Sequence, residues 1–115
     1  MNPQTPENGL DRQLALSRVG GDKQLLREIA DLFMEECPRA FAEIREAIAH
    51  GDAAKLENAA HALKGSVANF GARDAVDAAF RLEQMGRANQ MSEAEGTLHK
   101  LESALSAVCA ELATL

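Results

Sequence analysis

A chain of 115 residues, 46% of them hydrophobic and only four aromatic (all Phe), is sized for one domain with a real core. Its net charge of −6 and pI of about 5.0 argue against nucleic acid and anionic membrane as partners, since phosphate binding needs a basic surface. No apolar run approaches the ~20 residues that cross a bilayer, and the N-terminus lacks the charged start and apolar stretch of a signal peptide. Cys37 and Cys109 lie far apart without CxxC spacing, so a reducing, cytoplasmic setting is expected, with both acting as small apolar residues.

Ala, Leu, Glu, Lys and Arg dominate, and few segments concentrate β-branched or aromatic residues, so the fold class is all-α. Residues 1–9, with two prolines and a glycine, read as a flexible tail or linker before a helical domain at 10–115. Asp11 is placed to cap a short helix carrying Leu14, Leu16 and Val19, which Gly20-Gly21 ends. Asp22 starts a second helix with Leu25, Leu26, Ile29, Leu32 and Phe33 at helical spacing. Pro38 suits the first turn of a third, bearing Phe41, Ile44 and Ile48 and stopping at Gly51.

Asp52 caps a fourth helix running to Gly71. A fifth, from about Arg73 to Arg87, presents Val76, Ala79, Phe80 and Leu82. The last begins at Ser92, where Glu95 completes a capping box, and carries the stripe Ala94, Leu98, Leu101, Leu105, Val108 and Leu112. Steps of four and three suit near-parallel bundle packing, and short connections make successive long helices antiparallel neighbours.

The fourth helix has an unusual outer face. At ~100° per residue, Leu56, Ala60, Leu63, Val67 and Phe70 form the core stripe. His61 falls roughly 140° from its centre, among Ala54, Glu57, Lys64, Gly65 and Ala68. Gly65 costs the helix about 1 kcal/mol relative to alanine. It points away from the apolar stripe, so helix packing does not explain it. Close approach of another molecule beside His61 does, with the small residues Ala54 and Ala68 keeping the surface low.

Lys64, one turn after His61, adds a cation suited to holding an anion. It disfavours a metal site, and no HxxxH or similar ligand pair occurs. There is no triad, glycine-rich phosphate loop or nucleotide fingerprint, so ATP-dependent catalysis within this chain is not expected. Imidazole is a good nucleophile near neutral pH. Beside an anion-holding lysine and an open approach, it fits transient capture of a phosphoryl group from an outside donor.

The run His61-Ala62-Leu63-Lys64-Gly65-Ser66, followed by Asn69-Phe70-Gly71-Ala72, resembles the signature of histidine-containing phosphotransfer (HPt) domains. The likeness extends over the helix order of residues 18–66 and the RLEQMGR segment at 81–87, covering essentially 10–113. Val67, where a small residue is common, and Phe70, where Leu is commoner, are departures on the core side. The resemblance implies an antiparallel four-helix bundle with additional short N-terminal helices. It implies that His61 is phosphorylated at Nε2, that Lys64 neutralises the phosphoryl oxygens, and that Gly65 leaves room for the partner. Family members exchange phosphoryl groups with the aspartate of receiver domains and do not hydrolyse ATP.

If the chain reverses near Gly71, His61 is level with about residues 81–83, so Glu83 or Gln84 is a candidate hydrogen-bond partner of the imidazole or its phosphate. A carboxylate on Nδ1–H fixes the tautomer with Nε2 free, but it also repels a phosphoryl group. His50 and His99 are expected to have no functional role.

The expectation is thus a monomeric cytoplasmic phosphorelay carrier. Its partners are response-regulator receiver domains and a hybrid sensor histidine kinase, of which it is either a free-standing partner or a terminal module. The chain itself binds no cofactor, Mg²⁺ belonging to the receiver. A docking patch around His61 is expected to include Leu10, Leu14 or Leu16. The competing expectation is a non-catalytic helical adaptor that docks receivers without phosphotransfer.

Overall fold

The computed structural model describes residues 9–115, so the expected tail, Gly9 apart, lies outside the described residues. Five helices follow in order: α1 (Arg12–Arg18), α2 (Lys23–Ala49), α3 (Ala53–Ala68), α4 (Arg73–Ala88) and α5 (Ala94–Leu112). Asp11, Asp22 and Asp52 cap the first three, each carboxylate accepting from the backbone N–H three residues on, at 3.0–3.1 Å. At Gly51, φ of 65° lets α2 end and Asp52 begin α3 within three residues. Asn89, at φ 53°, closes α4 in the same left-handed conformation.

Helix α3 packs on α2 and α4, and α5 packs on α4 and α2, closing a ring of four against which α1 leans through α2. Together they form the expected all-α bundle, its short turns reversing the chain between successive long helices. The predicted stripes meet inside: Leu56, Ala60, Leu63, Val67 and Phe70 are buried, as are all six residues of the α5 stripe. Each Leu or Val so enclosed contributes about 1.5–3 kcal/mol. Phe33 of α2 meets Phe70 edge to face, with ring centroids 5.3 Å apart.

Two boundaries depart from expectation. Pro38 does not begin a helix; it lies within α2, which runs unbroken for 27 residues. An internal proline costs about 3 kcal/mol by removing one N–H and crowding the preceding turn. Pro38 faces outward, so water can solvate the freed carbonyl, while Phe33, Cys37 and Ile44 keep both halves of α2 on one core. The Ser92–Glu95 capping box does not form either. A tight turn from Ala94 N–H to the Met91 carbonyl starts α5 two residues later, with Glu93 at the cap position. The apolar stripes are also narrower than predicted, since Leu25, Leu32 and Phe80 are exposed.

Candidate functional site

His61 projects from the middle of α3, with its side chain 67% exposed. Its Nδ1 lies 2.9 Å from Oε2 of Glu83, which reaches across from α4. Glu83 is the reverse case: a carboxylate with only 3% of its side chain exposed. Lys64 Nζ stands 2.8 Å from Oε1, and Arg87 donates from its terminal guanidinium nitrogen to Oε2 at 3.1 Å. Arg87 in turn donates through Nε to Glu57 on α3 at 3.0 Å. Two carboxylates, two cations and one imidazole thus form a ladder across the α3–α4 seam.

Lys64 closes on Oε1 as an ion pair at 2.8 Å. Among the described residues, Oε1 is a buried side-chain polar atom whose close partner is this ammonium. The lysine ammonium also rests 4.8 Å from the centre of the Phe80 ring, so cation–π attraction holds it half-buried. Lys64 lowers the Glu83 carboxyl below its ordinary value; burial opposes this, and His61 assists. Glu83 therefore carries its charge at neutral pH. Facing it, Nδ1 of a neutral His61 holds the ring proton, and Nε2 keeps its lone pair toward solvent.

The seam depends on a glycine that sequence reading passed over. A Cβ on Gly86 would stand 2.6 Å from the Ala53 carbonyl oxygen and 2.6 Å from the Glu57 amide. Only glycine lets α4 run this close to the start of α3, and that approach brings Glu83 and Arg87 within reach of their partners. Gly65 is the opposite case: a Cβ there would meet nothing within 4 Å.

Ala54, like Gly65, is exposed; Ala68 is half-buried. Gln84 is exposed and takes no part in the cluster, leaving Glu83 as the group on the imidazole. The docking patch needs correction at Leu10, which is 1% exposed. Asp11 N–H binds the Phe70 carbonyl at 2.7 Å, pinning this segment against the end of α3 and turning Leu10 into the core. Leu16 is half-buried against the core, and Leu14 alone of the three is exposed. Glu57 was expected on the face of His61 but not as a partner in a charge cluster, and Arg87 was not anticipated. The four-residue spacings Glu57–His61 and Glu83–Arg87 put each pair on one helix face, which was the available signal. His50 caps α2 through its backbone N–H, and His99 is exposed on α5; neither lies in the cluster.

Comparison with known proteins agrees with this architecture. The family model described as Hpt domain matches residues 28–111, most of the chain and all of the ladder. Histidine-containing phosphotransfer protein B from Pseudomonas aeruginosa PAO1 superposes with a TM-score of 0.87 at 21% identity, covering 96% of this chain and 95% of that one. At that identity the likeness speaks to the fold. No curated protein sequence matches the chain.

Proposed function

The chain belongs to the Hpt domain family of phosphorelay carriers, and on that premise we propose that His61 takes a phosphoryl group from a receiver-domain aspartate and gives it to another. The observation that carries this reading is the pairing of a buried, charged Glu83 with His61 Nδ1 while Nε2 stays open to solvent. The Nε2 lone pair attacks phosphorus of the acyl phosphate, the bond to the aspartate oxygen breaks, and the carboxylate leaves. Positive charge grows on the ring as the N–P bond forms. The Glu83 carboxylate, accepting from Nδ1–H, stabilises it.

Lys64 neutralises the phosphoryl oxygens in this scheme. It can do so because Glu83 has a second cation: Arg87 remains on Oε2 when Lys64 turns toward the phosphoryl group. The same arrangement limits the repulsion between Glu83 and the bound phosphate. Gly65, with Ala54 and Ala68, gives the receiver close access to the backbone. Phe80, on which Lys64 rests, and Leu14, beside Gly71 past the end of α3, supply exposed apolar contact for the receiver. Mg²⁺ acts on the receiver, and the chain needs no ATP of its own. The setting is the cytoplasm; among the described residues no helix is long and apolar enough to cross a membrane.

Incubation with a phosphorylated receiver domain tests the reading. An acid-labile, base-stable label is expected on the wild type and absent from His61→Gln. Label retained by that variant refutes the assignment. Receiver binding with no phosphoryl uptake by the wild type would instead identify a docking adaptor.

A further inference from the structure

Away from the histidine, two cysteines separated in sequence come together. Cys37 lies on the buried stripe of α2, and Cys109 is half-buried on α5, against which α2 packs. Both line one groove of about 240 Å³, with Met34, Pro38, Phe41 and Leu105 among its walls. The groove opens to solvent through exposed Pro38 and half-buried Cys109, so a small oxidant can enter it.

We propose that Cys37 and Cys109 are a modification site, a reversible disulfide that ties α2 to α5. Cys109 meets the oxidant, and Cys37 resolves the product. Burial, with Cys109 as the second cause, pushes the Cys37 thiol up to about 11. Cys37 therefore remains a protonated thiol, shielded and slow toward reagents from outside. The two side chains face the same groove from α2 and α5, so either helix can bring its sulfur toward the other across the seam. Small apolar residues at these positions would fill the space equally well; sulfur adds chemistry that packing does not require.

The oxidant is a hydroperoxide. Cys109 sulfur attacks its O–O bond, giving a sulfenic acid on Cys109 and releasing an alcohol, or water from hydrogen peroxide. Cys37 sulfur then attacks the Cys109 sulfur. The S–S bond forms, the S–O bond breaks, and the departing hydroxide takes the Cys37 proton to leave as water. Two thiols supply the two electrons that reduce the peroxide, and a dithiol reductant restores them. The inference does not rest on the phosphorelay reading.

The test treats the full chain with a small excess of hydrogen peroxide, alkylates the remaining thiols and maps the peptides by mass. A monomeric product lacking two hydrogen atoms is expected, with a linked peptide pair carrying Cys37 and Cys109 that dithiothreitol separates. Closing so long a loop should raise the thermal midpoint by roughly 10 °C. In Cys37→Ala the Cys109 sulfenic acid has no resolving partner and should be captured by dimedone, well above wild type. Sulfinic Cys109 beside an alkylatable Cys37 overturns the proposal. So does a disulfide between two chains, or survival of both thiols under peroxide that oxidises an exposed cysteine.

Discussion

Between α3 and α4 the protein buries a carboxylate and surrounds it with an imidazole, an ammonium and a guanidinium. Between α2 and α5 it buries Cys37 and Leu105 beside Met34 and Phe41, with no ion pair linking the two helices among the described residues. The apolar seam tolerates small shifts, because its attraction grows with area and has no direction. The charged seam tolerates few, because each partner of Glu83 acts through one atom at one distance. Gly86 supports the charged seam by bringing two backbones together where any side chain would part them. Chemistry that needs a fixed tautomer thus sits where the geometry is most constrained.

Removing the carboxylate is the strongest way to break this contrast. Glu83→Ala frees the imidazole tautomer and sets Lys64 and Arg87 beside each other without their shared anion. Phosphoryl uptake from a phosphorylated receiver should fall by roughly tenfold to a hundredfold, the scale on which metal-bound histidines respond to loss of the carboxylate that orients them. Long-range proton–nitrogen spectra of His61 should show the Nδ1–H tautomer losing its dominance. An unchanged spectrum would mean that Glu83 does not select the tautomer.

Next in size is Gly86→Ala, whose Cβ meets backbone of α3 on two sides. A loss of about 1–3 kcal/mol is expected from urea denaturation, together with slower uptake as Glu83 and Arg87 withdraw. A wild-type denaturation midpoint would show that the helices separate without cost.

Acid provides a gentler probe. Because the folded Glu83 carboxyl is held below its ordinary 4.5, its contribution is complete above that value and is lost as pH falls through the lower folded one. Below about pH 4.5, wild-type stability should therefore decline more steeply than that of Glu83→Gln, as read from urea midpoints down the acid range. Parallel declines would place the acid sensitivity elsewhere.

The smallest effect on stability belongs to Gly65→Ala. With open space around the new methyl, stability should hold or rise by up to about 1 kcal/mol, while receiver binding weakens. Binding that stays at the wild-type level would remove Gly65 from the docking face.

Much of the bundle was legible in the order of residues. Aspartate caps at 11, 22 and 52, glycines after the helices, and apolar residues in steps of three and four are local signals, because helices are built from local hydrogen bonds. The outer face of α3 was legible for the same reason: His61, Lys64 and Gly65 share one helix, and their spacing alone puts them together. Pro38 misled because its preference for a first turn was outweighed by long-range burial of Phe33, Cys37 and Ile44 on one core. Ser92 misled because the turn at Met91–Ala94 delays the helix beyond the reach of its side chain.

Leu10 looked available beside Leu14 and Leu16, but the bond from Asp11 to the Phe70 carbonyl turned it inward. Sequence by itself determined a helical chain with one nucleophile on a cleared face. Only the tertiary structure decided that Glu83 rather than Gln84 faces the imidazole, that Arg87 and Glu57 complete the ladder, and that Cys37 and Cys109 line one groove. Those outcomes depend on the relative height and rotation of packed helices. A one-residue change in register turns a helical side chain by about 100° and moves it 1.5 Å along the axis, enough to exchange one partner for another.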